Sequence, residues 1–277
     1  MTRPSWRGPR RGPLAVEDVD RAVNLAPAAV ERWGDKRFDR GVPTPGMEFE
    51  PRDRAMYLPG ADALVCADLH VGRDAASDVE FRVGEHEDLT ARFGALCERY
   101  EPAEAVVAGD LLHSFDRLPK GAVETVRDLR AAAEAVDCEL LVTPGNHDSM
   151  LDSVWDGPTA NEYRLGGEAS VVVTHGHAQP TAEADWYVVG HDHPVIEIEG
   201  MRRPCYLYGP EAHGAAGVLV LPAFSRLPAG VAVNGMSAAD FDSPLVERAG
   251  GLRPIVRDEE ADRTHEFPPL RKLRRLL

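Results

Sequence analysis

Thiols are few and scattered in this chain. Its 277 residues contain four cysteines, Cys66, Cys97, Cys138 and Cys205, and no two are spaced as a CxxC pair. That excludes a zinc knuckle and a disulfide framework and indicates a reducing compartment, where Cys66 and Cys138, in or beside apolar runs, act as small buried hydrophobes. Lysine is scarcer still, at Lys36, Lys120 and Lys272 only. Long apolar runs are missing as well, since no stretch approaches the roughly 20 residues of a membrane span. Arg10-Arg11 is followed by Gly12-Pro13 and by Glu17, Asp18 and Asp20, where an export signal would carry an apolar segment. The chain is therefore expected in the cytoplasm, away from membranes.

What is abundant is acid. Against 46 Asp and Glu stand 31 Lys and Arg, a formal charge of −15. An acidic, lysine-poor surface suits a salt-loving cytosol, and a GC-rich genome produces the same composition. Net negative charge opposes long-range attraction to nucleic acid at low salt. At about 1 M salt the screening length is only about 3 Å, so partners have to be argued from local features.

Hydrophobic residues make up 43% of the chain, enough for one well-buried domain with tails. Residues 1–45, rich in Arg, Pro and Gly, read as a mobile extension with a weakly amphipathic stretch from Leu14 to Leu25. Met47 to Phe49 and Ala55 to Leu58 flank a polar turn and read as a hairpin. Apolar positions recur at helical spacing from Gly84 to Tyr100 (Leu89, Phe93, Leu96, Cys97) and again at Val123, Val126, Leu129 and Ala133. Strands alternating with these helices predict a parallel βαβ sheet. After Ser170, the runs Val171 to Val173, Tyr187 to Val189, Val195 to Ile198, Cys205 to Tyr208 and Val218 to Leu221 predict a second sheet. The expected fold is α/β, a four-layer αββα sandwich of two mixed sheets flanked by helices, spanning residues 46–240. Residues 241–277 read as a polar tail whose basic end carries Leu270, Leu273, Leu276 and Leu277 at helical spacing, best explained by leucines docked on the domain.

Five clusters of polar residues stand at the ends of apolar runs. They are Asp68-Leu69-His70, Gly109-Asp110, Gly145-Asn146-His147-Asp148, His175-Gly176-His177 and Gly190-His191-Asp192-His193. Ligands of open α/β sheets bind beyond the carboxyl ends of strands, so such clusters can converge on one crevice. Seven of the ten histidines lie in or next to them. So many imidazoles and carboxylates in one place need a cation to organise them. Imidazole, carboxylate and amide oxygen without thiolate suit Mn²⁺ best, with Fe²⁺ and Zn²⁺ as the other candidates. Two such ions about 3.5 to 4 Å apart would acidify a shared water and hold phosphoryl oxygens, which predicts a two-metal hydrolase with Asp110 as the natural bridge.

In their order D-x-H, GD, GNHD, GH and GHxH, these motifs resemble the calcineurin-like metallophosphoesterases over roughly residues 63–193. The resemblance implies that Asp68, His70 and His193 bind one metal and Asn146, His175 and His191 the other, with Asp110 shared. It further implies that His147 contacts phosphate and protonates the leaving group, with Asp148 as its orienting partner. Where many members carry GDxxD or GDxxN, this chain has His113, either a site residue or a cap of the next helix. The D-x-H-x-G opening, GDxxH and Leu221-Pro222-Ala223-Phe224 look most like the archaeal ICC-like or SbcD-related phosphoesterases. Arg73 could reach a substrate phosphate or pair with Asp74 or Glu80, and His177 is either a substrate contact or a packing residue.

The expected function is hydrolysis of phosphodiester bonds in DNA, RNA or nucleotides, with Arg3, Arg7, Arg10, Arg11, Arg271, Lys272, Arg274 and Arg275 as available phosphate contacts. A phosphomonoesterase acting on a metabolite or phosphoprotein is the alternative, because the metal core serves many leaving groups. A non-catalytic scaffold is disfavoured, since every ligand position is filled. If the charge reflects a saline cytosol, self-repulsion destabilises the fold at low ionic strength, and molar KCl raises the melting temperature. A melting curve that does not move between low and molar salt would leave genome composition as the source of the charge.

Overall fold

Alternation of side chains with period two runs through the strands and sorts the core into layers. In β4 (Ala63–Cys66) Leu64 and Cys66 face one way and Ala63 and Val65 the other. In β5 (Glu104–Ala108) Ala105 and Val107 oppose Val106 and Ala108, and in β6 (Glu139–Thr143) Leu140 and Val142 oppose Leu141. Strands buried on both faces belong in a covered parallel sheet, and β4, β5 and β6 pair in parallel. The computed structural model describes residues 42–44, 46–73, 84–113, 118 and 120–273. The stretch from Leu14 to Leu25, the N-terminal arginines and residues 274–277 lie outside them.

The first sheet runs in the order β1 (Val42–Thr44), β2 (Met47–Arg52), β3 (Ala55–Leu58), β4, β5, β6. The expected hairpin is β2–β3, closed by Asp53 and Arg54, whose φ of 45° and 66° match the two-residue turn between paired Arg52 and Ala55. Val42–Thr44 pairs with β2, so the sheet starts within the segment expected to be an extension. Helices α1 (Glu85–Tyr100) and α2 (Ala122–Glu134) cover one face with Leu89, Phe93, Leu96, Val126, Leu129 and Ala133. Val123, expected on that face, is 57% exposed, and Ala122 takes the buried place.

The second sheet runs β16 (Arg263–Glu266), β15 (Arg253–Asp258), β12 (Tyr206–His213), β13 (Ala216–Val220), β9 (Trp186–Val189), β8 (Val171–Thr174), β7 (Glu162–Leu165), with β13, β9 and β8 parallel. Val171, Val173, Trp186, Val188 and Leu219 meet the first sheet, while Val172, Tyr187, Val189, Val218 and Val220 face outward. Trp186 stacks on Tyr208 in the layer between the sheets, centroids 4.8 Å apart. The strand Val195 to Ile198 does not join this sheet. As β10 (Pro194–Ile198) it forms a small sheet with β11 (Met201–Pro204) and β14 (Val231–Ala232). Among the described residues no long helix covers the outer face; residues 233–252 and the short α3 (Leu270–Leu273) do so.

The segment expected as a polar tail from 241 thus supplies β15 and β16, and Leu270 and Leu273 are buried beside Leu252. Leu270 is wholly buried, so Leu270→Ala is expected to destabilise the fold by about 2 to 5 kcal/mol in a denaturant titration. A change within about 0.5 kcal/mol would mean that α3 is only loosely docked.

Candidate metal centre

Parallel strands end side by side, and here the ladder continues beyond them. Asp68 N–H donates to Gly109 O at 3.0 Å, His70 N–H to Asp110 O at 2.9 Å and Val71 N–H to Leu111 O at 2.8 Å. The chain leaves the strands through left-handed backbone at non-glycine residues: φ is 55° at Asp68, 48° at His70, 48° at Asp110, 70° at His191 and 42° at His193. Such conformations cost of order 1 kcal/mol or more each and persist only where the surroundings over-determine them. The surroundings do so through hydrogen bonds. The Asp148 carboxylate accepts from the N–H groups of Leu111 (3.2 Å), Leu112 (2.8 Å) and Gly145 (2.8 Å). Asp68 accepts from His191 N–H at 3.0 and 3.2 Å, and Asp110 Oδ1 from His147 N–H at 2.9 Å.

Two of the motif glycines are required by close approach. A Cβ at Gly145 would lie 2.2 Å from Asp110 Oδ1, and one at Gly190 2.5 Å from Asp68 Oδ2. Without side chains there, the carboxylates of the first sheet meet the backbone that carries the next ligands.

The polar side chains form two groups around Asp110. On one side His70 Nε2 lies 3.1 Å from His193 Nε2 and 4.0 Å from Asp110 Oδ2, and His193 Nε2 lies 3.3 Å from Asp68 Oδ1. On the other side His175 Nε2 lies 3.0 Å from Asn146 Oδ1, 3.2 Å from His191 Nδ1 and 3.5 Å from Asp110 Oδ1. Each oxygen of Asp110 thus faces one group. His175 Nδ1 points to Ala108 O at 3.2 Å, a bond that directs Nε2 into the crevice.

Burial drives His70 down to about 3 and His175 to about 4, so both rings are neutral with a lone pair to give. Burial, with the Asp68 and Asp148 carboxylates nearby, pushes Asp110 up to about 8. Burial also works to raise Asp68, but His193, with His175 and His70 behind it, holds it below the usual range. Crowded carboxylates and imidazole nitrogens within 4.8 Å of one another fit a divalent cation, whose charge offsets the buried acids. The donors contain no sulfur, and beside the two carboxylates they are four imidazoles and one amide, as a transition-metal dication prefers.

Residues 62–184 match the family described as calcineurin-like phosphoesterase. That stretch, which carries Asp68, Asp110, Asn146 and His175, is similar to the calcineurin-like phosphoesterases. The match supports a metal-dependent phosphoesterase. The crystal structure of a nuclease from Pseudomonas putida, MPE, shares its fold, with a TM-score of 0.57 and 23% identity over 78% of this chain and 96% of that one. No curated protein sequence matches the chain. The family match ends before Gly190, yet the fold brings His193 to Asp68 and His191 to His175.

The other site residues predicted from sequence fall around this core. His147 is 25% exposed, its Nε2 3.8 Å from Asp110 Oδ2. His113 packs edge-on to His70 (5.4 Å) and parallel to His147 (5.9 Å), inside the site rather than as a helix cap. Arg73 is close enough for its charge to depress His113 and His147, beyond the larger effect of burial. Asp74 and Glu80 lie outside the described residues. His177 is exposed at the rim, 5.2 Å from His175 between centroids. Asp148 differs from expectation: instead of orienting the His147 ring, its carboxylate holds the backbone of Leu111, Leu112 and Gly145.

Two residues went unread in the sequence. Buried Glu85, at the start of α1, accepts from Gly72 N–H (2.7 Å) and Arg73 N–H (3.0 Å), clamping the loop after His70. Buried Asp192, between the two ligand-type histidines, accepts from Asp242 N–H at 2.8 Å. Both bond to main chain, which leaves no spacing signal. Gly190→Ala would push the Asp68 carboxylate aside, so Mn²⁺ affinity measured by calorimetry is expected to fall at least about 10-fold. Unchanged affinity would mean that Asp68 can move without cost.

Proposed function

We propose that this chain is a dinuclear phosphodiesterase acting on nucleic acid or nucleotides. The observation that carries the reading is the facing of Asp110 Oδ2 toward His70 and of Asp110 Oδ1 toward His175. Asp68, His70 and His193 would hold one ion, Asn146, His175 and His191 the other, and Asp110 both, with Mn²⁺ the best fit to the donors. Two ions there would supply Lewis acidity toward the phosphoryl oxygens and a hydroxide near neutral pH.

His147 gives the chain its proton donor. Its Nε2 faces the crevice, 3.8 Å from Asp110 Oδ2. Burial, with His193 and Arg73 nearby, holds this imidazole below its ordinary range, and a bound phosphate anion would oppose that shift. The proton passes from Nε2 to the departing oxygen. Arg73 and His113 beside it, and His177 on the far rim, would contact the phosphodiester. The name of the structural relative as a nuclease supports the substrate class. Four free, buried cysteines support a reducing, cytoplasmic setting. Among the described residues no helix is long and apolar enough to cross a membrane.

Removing a general acid costs about 10² to 10⁴ in rate, and less when the leaving group needs no proton. His147→Ala is therefore expected to keep two Mn²⁺ equivalents, lose most activity on single-stranded DNA or RNA, and lose much less on bis-p-nitrophenyl phosphate. Equal losses would make His147 a phosphate-binding residue, and a lost metal equivalent would make it a ligand. Hydrolysis of p-nitrophenyl phosphate but not of the diesters by the unaltered enzyme would make it a phosphomonoesterase.

A further inference from the structure

Behind Asp68, away from the crevice, three arginines meet two carboxylates. Arg92 of α1 is buried, and its guanidinium lies 4.0 Å over the ring of Phe224. Its Nη2 donates to Phe224 O at 2.7 Å and to Asp88 at 2.7 Å, and its Nη1 to Asp53 O at 3.3 Å. Arg54, in the β2–β3 turn, donates through Nη1 to Ser225 O at 2.7 Å and Ala223 O at 3.4 Å. Burial, with Arg92 and Arg226 nearby, pushes Arg54 down to about 10. Arg226 completes the group through Asp53 (3.4 Å) and Asp88 (3.2 Å).

The three carbonyls held by Arg54 and Arg92 are consecutive. The N–H groups of the same segment point the other way: Phe224 N–H donates to Ala67 O at 2.8 Å and Ser225 N–H to Asp68 O at 3.3 Å. Past Ala55, the first residue of β3, residues 224–225 take that strand's place beside the end of β4. One edge of Asp68 is thus held by Gly109 and the other by Ser225. This second edge depends on two side chains that touch neither Asp68 nor any other ligand-type residue.

We propose that Arg54 and Arg92 are positioning residues for the metal centre, clamping residues 223–225 so that these fix the left-handed backbone of Asp68. The inference rests on the metal-centre reading above. A neutral side chain at either position releases one or two carbonyls, frees the segment, and lets Asp68 leave the geometry shared with His193. Lysine at 54 can still reach Ser225 O with one donor. Lysine at 92 cannot bond Phe224 O and Asp88 at once while lying flat on Phe224, because it lacks the planar fork.

Calorimetric titration of the full chain with Mn²⁺, paired with thermal melts in EDTA, separates positioning from stability. Arg54→Gln and Arg92→Gln are expected to weaken at least one Mn²⁺ equivalent by about 10- to 100-fold, the range for residues behind metal ligands. Arg54→Lys is expected to restore affinity to within a few-fold, and Arg92→Lys is not. Wild-type Mn²⁺ affinity in both Gln variants would overturn the proposal even if their melting temperatures fell. Should a Gln variant fail to fold, the Lys variants decide: wild-type affinity in a folded Arg92→Lys, or no rescue in a folded Arg54→Lys, overturns it. If the unaltered chain bound no Mn²⁺, the metal-centre reading itself would fail, an outcome distinct from unchanged affinity in the variants.

Discussion

The ladder between β4 and β5 does not stop where the strands do, and the site follows from that. Two more rungs, Asp68 to Gly109 and His70 to Asp110, require the chain to turn through left-handed φ while still pairing. Asp and His enter that region more readily than β-branched residues, so the residue types that ligate metals can also occupy these corners. The turn swings their side chains out of the sheet into the crevice. Without the extra rungs, period-two alternation would have sent Asp68 and His70 to the same face of the sheet, with no shared point above its edge.

A strained corner needs support, and the support is almost entirely side chain to main chain. Asp148 collects three N–H groups from two separate loops, so the Gly109-Asp110 and Gly145-Asn146 turns are fixed relative to each other by one carboxylate. Glu85 does the same for the loop after His70. Carboxylates suit this task because each offers two oxygens and about four lone-pair directions. Burial, with Asp68 and Asp148 nearby, raises Asp110, and Asp148 also holds the main chain that follows it.

Much of this was legible in the sequence. The order of the clusters at strand ends and the helical spacing of Leu89, Phe93 and Leu96 suffice for the α/β class, and the ligand-type residues do come together. The failures have physical causes. Asp148 stands next to His147 in sequence, but the turn sends the two side chains apart. Strands β15 and β16 read as tail because this outermost pair of the sheet is largely polar: of RPIVRD and RTHE, only Pro254, Ile255 and Val256 are buried. Val195 to Ile198 has strand composition, and composition does not say which sheet a strand joins. Arg54 and Glu85 were invisible because a bond to a carbonyl or an N–H leaves no mark on the identity of the partner residue.

The ligand-type residues come from both sheets: Asp68, Asp110 and Asn146 follow β4, β5 and β6, while His175, His191 and His193 follow β8 and β9. Neither sheet alone carries a complete set on either side of Asp110. A cation bound there would be held from both sheets beyond the end of the apolar layer in which Trp186 stacks on Tyr208, and would cross-link that end of the sandwich. Its binding free energy is then shared with the docking of one sheet on the other, because it binds the assembled state and not the separated one. The crevice is in this sense a seam, and the reactive centre doubles as its fastening.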